Sequence, residues 1–302
     1  VACDVPSHLY SFSFEPYPDW SKLYAPGEEI QAYIGHCAEK YDLYKHLAFQ
    51  RAVKRATWCD DGWQITTCAG ETVRADFLIS AMGGLHTPNM PNIPGADTFR
   101  KPLFHTSDWR HDVALDGQSV GVIGTGATAV QCVPEIAKKS KKLYVFQRSP
   151  VWVGPKSEAV YSAAERQAFR DDPMLLKKSR WQLWRSWETT GLDMVKAGSE
   201  INKLSERRAR ELIAKSVSEP ELAEKLTPDY NFTCKRPTFS NHYYATFERP
   251  NVELVTAPIE SINERGLFAG GCEVPLDVII MATGFKPFNI TSEVEFTGLK
   301  DR

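Results

Sequence analysis

The chain has 302 residues, 42% of them hydrophobic, and a net charge of -2: apolar material for one large core or two ordinary ones, with no bias toward nucleic acid. No apolar run reaches the roughly 20 residues of a membrane-spanning helix and nothing resembles a signal peptide, so neither nucleic acid nor a membrane is an expected partner. The seven cysteines, at 3, 37, 59, 68, 132, 234 and 272, lack C-x-x-C and zinc-type spacing; that and their odd number count against a disulfide framework and a dithiol-disulfide reductase, and fit a reducing cytoplasm.

Residues 1–30 are rich in aromatics, proline and serine, with Tyr10, Phe12, Phe14, Tyr17 and Trp20, which predicts an irregular segment packed over something flat. Its early charge, Asp4, reads by itself as a turn or capping residue. Over 28–41, Ile30, Tyr33, Ile34 and Cys37 fall on one helical face. Short strands are expected at 48–53, 56–59 and 63–68, with a turn at Asp60, Asp61 and Gly62. A further strand at 73–81 ends in F-L-I-S-A-M-G-G, a run of buried character.

Residues 119–150 read as strand, glycine turn, helix and strand, a complete βαβ unit. An apolar run at 120–123 enters the turn, and Val130, Val133, Ile136 and Ala137 follow at helical spacing. Gly124 permits the tight turn, Gly126 leaves room for a pyrophosphate, and Ala129 is the small residue that lets helix pack on strand. With Thr125, Ala127, Thr128 and Gln131, these are candidate cofactor contacts, because a helix N-terminus offers free amides to phosphate. Pro134 removes one helical hydrogen bond and predicts a kink. Where NAD-binding folds place an acid on the ribose, this chain has Gln147 and Arg148, followed by Ser149. A guanidinium suits a 2′-phosphate that a carboxylate would repel, so the expected cofactor is NADPH rather than NADH.

Residues 157–226 are charged and helical, and Trp181, Trp184 and Trp187 form a stripe expected to be core or domain contact. Lys203, Arg207, Arg208 and Arg210 read as a solvated face. Near the end, strands at 252–255 and 259–263, a turn at Glu264, Arg265 and Gly266, a further strand and the buried run V-I-I-M-A-T-G-F echo the earlier grammar. A three-stranded meander feeding a buried strand is thus expected twice, around one βαβ core.

Three stretches carry a resemblance that runs over almost the whole chain. Phe99, His105 and Trp109 in F-R-K-P-L-F-H-T-S-D-W-R match a signature F-x-G-x-x-x-H-x-x-x-W followed by proline or aspartate, with Lys101 at its glycine and Arg110 at its last place. Y-N-F-T-C-K-R-P-T-F holds the adjacent pair Lys235 and Arg236, and the opening C-D-V-P-S-H-L-Y-S-F-S-F holds Asp4 and Tyr10. In these features the chain resembles the class B flavoprotein monooxygenases, most closely the Baeyer-Villiger type.

The resemblance implies that Lys235 meets the 2′-phosphate of NADPH beside Arg148 and that Arg236 stands over the flavin. A flavin peroxide anion needs a permanent cation nearby, and arginine holds its proton. It also implies Asp4 beside Arg236 and Tyr10 on the cofactor; Val53 is a further expected cofactor contact, and Ala2 stands where members often carry arginine. Asp4 and Arg236 are the candidate catalytic residues, while Phe99, His105 and Trp109 belong to a linker in which His105 is structural.

The fold class implied is α/β, with two Rossmann-like dinucleotide-binding domains for FAD and NADPH, β-meanders, and a helical insert at about 157–226. The NADPH domain, 116–250, is expected to interrupt an FAD domain formed in part by 1–115, including the linker at 99–110, and by 251–302. The family's first glycine motif is absent from the sequence, so the chain reads as the interior of a longer protein. The activity implied is FAD- and NADPH-dependent insertion of one oxygen atom of O2 beside the carbonyl of a small ketone, through a flavin peroxide, giving an ester or lactone. Two alternatives stay open: an N- or S-oxygenating flavin monooxygenase, and a nucleotide-binding module without turnover.

Overall fold

The computed structural model describes residues 3–287 and 294–299; Val1 and Ala2, the latter at the place of the family's arginine, lie outside them. The helices are α1 (Ser7–Tyr10), α2 (Gly27–Lys40), α3 (Ala127–Lys139), α4 (Ala163–Asp171), α5 (Pro173–Val195), α6 (Glu200–Ser216), α7 (Pro220–Leu226) and α8 (Tyr243–Thr246). The strands are β1 (Val53–Cys59), β2 (Gly62–Thr67), β3 (Thr72–Ala75), β4 (Leu103–His105), β5 (Ser119–Ile123), β6 (Lys142–Phe146) and β7 (Val153–Gly154), then β8 (Thr238–Phe239), β9 (Val252–Val255), β10 (Ile259–Ile262), β11 (Gly266–Ala269), β12 (Cys272–Pro275), β13 (Val278–Met281) and β14 (Glu295–Thr297). The described residues form two units, one of residues 3–37 and 90–283 and one of residues 38–89, 284–287 and 294–299.

The larger unit is built on a five-stranded parallel sheet in the order β4-β13-β5-β6-β9. Period-two alternation sorts its side chains onto two faces. Val120, Val122, Leu143, Val145, Val278 and Ile280 share one core with Val130, Val133 and Ile136 of α3. Ile123, Phe146, Ile279 and Met281 share the other with Ile262, Leu267 and Leu276 of the β10-β11-β12 region. Apolar on both faces, these strands can only be interior, as a parallel sheet requires. Gly121 lets the second layer approach, since a Cβ there would stand 2.6 Å from Leu276 Cδ1.

Residues 252–255, expected to begin the meander, instead form the sheet edge beside β6, and the meander is β10-β11-β12. The reason lies in their two-sidedness: Val252 belongs to one core and Val255 packs against the other. The stretch 157–226 contains α4 to α7. A capping box opens α4, where Ser162 Oγ accepts from Glu165 N at 3.2 Å and the Glu165 carboxylate accepts from Ser162 N at 2.7 Å. Trp181, Trp184 and Trp187 have helical spacing but are 49%, 51% and 40% exposed, so they are not core. Helix α5 turns Leu176 inward instead, and the Arg185 guanidinium lies 5.1 Å over the Trp181 ring. Lys203, Arg207, Arg208 and Arg210 are exposed, as read.

The opening segment folds over α2, which buries Tyr33 and Cys37 but leaves Ile34 exposed. Tyr33 Oη accepts from Phe12 N at 2.7 Å and donates to Glu15 O at 2.8 Å, and its ring packs with Tyr17 and Trp20. The surface sought by this aromatic segment is therefore partly its own helix.

In the smaller unit the strand order is β14-β1-β2-β3. The strand expected at 56–59 is the end of β1, which begins at Val53 and shifts register between Val53 and Arg55, whereas 48–52, expected as strand, are exposed and form none. The ladder ends at Ala75, and Phe77 and Ile79 are 85% and 87% exposed rather than buried. Among the described residues no strand pairs with 76–81, so its backbone has no ladder to join. Among the described residues, no helix is long and apolar enough to cross a membrane.

His8 of α1 is 1% exposed, with Tyr161 and Phe169 rings 5.1 and 5.0 Å away, and neither imidazole nitrogen has a hydrogen-bond partner among the described residues. Burial first, and then the Arg180 charge, lower its pKa from 6.5 to about 4. The folded chain keeps His8 neutral where the unfolded chain protonates it, so its contribution is fully present above pH 6.5 and lost as pH falls toward 4. His8→Phe should flatten the pH dependence of the urea midpoint between pH 6.5 and 4, while leaving the midpoint at neutral pH little changed.

Candidate functional site

Strand β5 ends against β13, and the chain must turn there with almost no room. Gly124 has φ +111°, and a Cβ on it would stand 2.4 Å from the Ala282 carbonyl oxygen, so glycine is obligatory. The turn lies at the carboxyl edge of the sheet, where β6 flanks β5 on one side and β13 on the other, a topological switch point. Gly126 precedes α3 with no side chain capping its amides, and a Cβ on it would meet nothing within 4 Å. Gly126, Ala127 and Thr128 are exposed, whereas Ala129 is fully buried against the sheet. Free amides facing open space are what an anionic pyrophosphate needs, and the cradle fits a dinucleotide. Thr125 Oγ1 donates to Ser149 O at 3.0 Å, Gln131 Nε2 donates to Ala127 O at 3.2 Å, and α3 continues through Pro134.

At the end of β6, Gln147 is buried and donates from Nε2 to Lys225 O at 2.6 Å, anchoring the end of α7. The next residue, Arg148, is exposed, with no hydrogen bond or ion pair among the described residues. Lys235 Nζ donates to Ser149 Oγ at 2.9 Å and sits 4.5 Å over the Tyr230 ring. The loop bearing Lys235 is held by buried groups. Trp152 Nε1 donates to Tyr230 O at 2.8 Å, Tyr230 Oη donates to Pro150 O at 2.8 Å, and β7 pairs with β8. An arginine and a hydroxyl-bound lysine thus stand at one strand end, a donor set suited to a phosphate monoester.

Arg236 Nη2 lies 3.7 Å from Asp4 Oδ2, with the arginine side chain 77% and the aspartate 37% exposed. Tyr10 is near the same pair. Burial and a hydrogen bond with the Cys3 thiol push its phenol up to about 12, so it stays protonated at neutral pH. Val53 stands at the start of β1 in the other unit. In the linker Phe99 and His105 are buried, His105 Nδ1 is 2.7 Å from Ser107 Oγ, and Trp109 meets Phe104 edge-on at 5.6 Å. Lys101, at the signature's glycine, donates from Nζ to Leu276 O at 2.8 Å and to Asp277 Oδ1 at 2.9 Å. Arg110 forms a two-pronged pair with Asp112.

Residues 1–291 match the model of the flavin-binding monooxygenase-like family. The chain belongs to that family. It is 42% identical over 287 residues to a Baeyer-Villiger monooxygenase of Streptomyces coelicolor, covering 94% of this chain and 55% of that protein. A Baeyer-Villiger monooxygenase of Pseudomonas aeruginosa is 38% identical, with 94% and 54% covered. Just over half the length of these relatives is therefore represented here. Among solved structures, an oxidized steroid monooxygenase bound to NADP superposes with a TM-score of 0.87 at 30% identity, over all of this chain and 66% of that one. OTEMO in complex with FAD and NADP gives a TM-score of 0.87 at 31% identity, again over all of this chain and 66% of the other. The α/β class with Rossmann-like parallel elements agrees with these family structures.

One group near the candidate site carries no local signal in the sequence: Lys156 reaches the backbone beside Asp4, 153 positions from Cys3. Tyr230, whose ring lies beneath Lys235, opens the same stretch, Y-N-F-T-C-K-R-P-T-F, that bears the Lys235–Arg236 pair.

Gly124→Ala should destabilise the fold by roughly 1–3 kcal/mol in denaturant unfolding. Gly126→Ala should leave the unfolding midpoint in place yet weaken NADPH binding in the full-length protein, because its Cβ enters the open space before the free amides of α3, where a phosphate is expected. Full-length protein should prefer NADPH to NADH by at least about tenfold, roughly 1.4 kcal/mol. Titration of Arg148→Ala should show that preference largely lost, with NADH affinity little changed.

Proposed function

We propose that the protein to which this chain belongs is an FAD- and NADPH-dependent monooxygenase that inserts one atom of O2 beside a ketone carbonyl, giving an ester or lactone. The Asp4–Arg236 pair, in the same unit as the glycine turn and the Arg148–Lys235 cluster, is the observation that carries this reading. The names of the two relatives above support the Baeyer-Villiger reaction over heteroatom oxygenation. FAD, when bound, supplies the redox chemistry and the activation of oxygen.

The chain's own residues bind and orient. The free amides at the start of α3 take the NADPH pyrophosphate, and Arg148 and Lys235 take the 2′-phosphate. Asp4 and Tyr10 are proposed flavin contacts. Arg236 places a permanent positive charge where negative charge develops on the transferred oxygen and the ketone oxygen, with the Asp4 carboxylate as its neighbour at 3.7 Å. The Tyr10 phenol, held protonated, can donate a hydrogen bond there. As bound substrate and cofactor displace water from the exposed guanidinium, its field strengthens.

Arg236→Ala in the complete enzyme should lower ester formation about a hundredfold to a thousandfold, roughly 3 to 4 kcal/mol, while NADPH-driven flavin reduction continues. Arg236→Lys should rescue little, because ammonium lacks the planar fork and shifts its pKa when desolvated. Stopped-flow reduction and product analysis, with a ketone and a thioether in parallel, check this outcome. Ester formation at the parent rate in the alanine variant would remove the assignment, and oxygenation of the thioether alone would move the chain to its N- and S-oxygenating relatives.

A further inference from the structure

Lys156 lies two residues beyond β7, in no motif, and its ammonium meets the opening segment. Nζ donates to Cys3 O at 2.5 Å and lies 5.3 Å over the Tyr24 ring. Burial lowers its pKa, and the charges of Cys3 and Asp4 oppose that shift, which marks Asp4 as an electrostatic neighbour. The backbone of the same residue is tied elsewhere. Lys156 N donates to Asn241 Oδ1 at 3.0 Å, and Asn241 Nδ2 donates to Lys156 O at 2.8 Å. Asn241 Nδ2 is also 3.1 Å from Glu158 Oε1. The strand pair β7-β8 and the bond from Ser240 N to Gly154 O, 3.0 Å, continue this seam toward the loop that bears Arg236.

One residue therefore bonds to the segment that precedes Asp4 and to the segment that follows Arg236, a charged pair that hardly grips itself. Asp4 and Arg236 approach only to 3.7 Å, and the guanidinium is largely in solvent, so their own attraction is weak. Relative placement must come from the segments behind them. Cys3 immediately precedes Asp4, and its carbonyl is the acceptor chosen by the ammonium; Asn241 follows Arg236 by five residues and takes the backbone of Lys156 in a reciprocal pair. Among the described residues no carboxylate forms an ion pair with Lys156, so its charge is directed at a backbone carbonyl and an aromatic face.

We propose that Lys156 is a positioning residue for the Asp4–Arg236 pair, clipping the segment of Asp4 through its ammonium and the loop of Arg236 through its backbone. Its catalytic consequence rests on the monooxygenase reading above; the clip itself does not. A displacement of about 1 Å at a reacting centre lowers rate by up to about a hundredfold. The Cys3 thiol, hydrogen-bonded to Tyr10, reports on the clipped segment without turnover.

The test uses full-length, flavin-loaded enzyme with Lys156→Met, which keeps the stem and removes the donor. Iodoacetamide labelling of Cys3, followed by peptide mass, should accelerate about tenfold as the segment opens locally. Ester formation should fall about tenfold to a hundredfold, with flavin reduction and KM for NADPH near the parent values. Lys156→Arg, which keeps donor and charge, should recover both readouts. Lys156→Gln, which keeps a donor without charge, should recover less of the rate than of the labelling protection. Parent-rate Cys3 labelling in Lys156→Met overturns the clip whatever reaction the enzyme performs. Faster labelling with an unchanged ester rate overturns its catalytic role. If the variant unfolds at assay temperature, both readouts are taken on Lys156→Gln, for which parent values throughout refute the charged clip.

Discussion

The backbone of Gly124 passes so close to the Ala282 carbonyl that no side chain fits between them, and the site is arranged around that crossing. The close approach holds the carboxyl ends of β5 and β13 together and aims α3 away from the sheet edge. Everything assigned to the dinucleotide lies on the rim so created: the uncapped amides of α3, Thr125 bonded to the Ser149 carbonyl, and the strand end bearing Arg148. The two cores, one beneath α3 and one beneath the meander, brace the same edge from opposite faces.

The candidate binding groups and the groups that hold them differ in environment. Gln147, Trp152, Tyr244 and Phe232 are buried, and their polar atoms or rings are spent on neighbouring backbone and core. Arg148, Lys235 and Arg236 are exposed; among the described residues Arg148 has no hydrogen bond or ion pair, Lys235 donates to a hydroxyl and Arg236 approaches Asp4 only to 3.7 Å. Such a division is efficient physically, because a cation already neutralised by a buried carboxylate has little left for a phosphate or a developing oxyanion. Lys101 shows the opposite use of charge: bound to the Leu276 carbonyl and to Asp277, it occupies the signature's glycine position as a structural tie, and the pair lowers the Asp277 pKa.

Local pattern made the βαβ core legible. Alternation and helical spacing at 119–150 were enough, because strand, glycine turn, helix and strand follow one another in sequence and β5 pairs directly with β6. The same reasoning failed where a segment's neighbours come from far away. The tryptophan stripe of α5 has core composition and helical period, but period says nothing of which side another helix will cover. Residues 252–255 look like a hairpin strand, but their two apolar faces find places in both cores of the parallel sheet.

By itself the sequence determined the glycine turn, the cations near it and the family signature, since each depends on residue type at short spacing: φ above zero needs glycine, a phosphate needs permanent charge, and neither depends on a distant partner. Tertiary structure alone decided that Lys235 would reach Ser149, that Asp4 would face Arg236, and that Lys156 would bind beside Asp4. Those contacts join residues as many as 232 positions apart, as between Asp4 and Arg236, and no local preference encodes them. They exist because chain segments distant in sequence fold into one unit, with the loop after β6 and the loop before β8 joined through the β7-β8 pair.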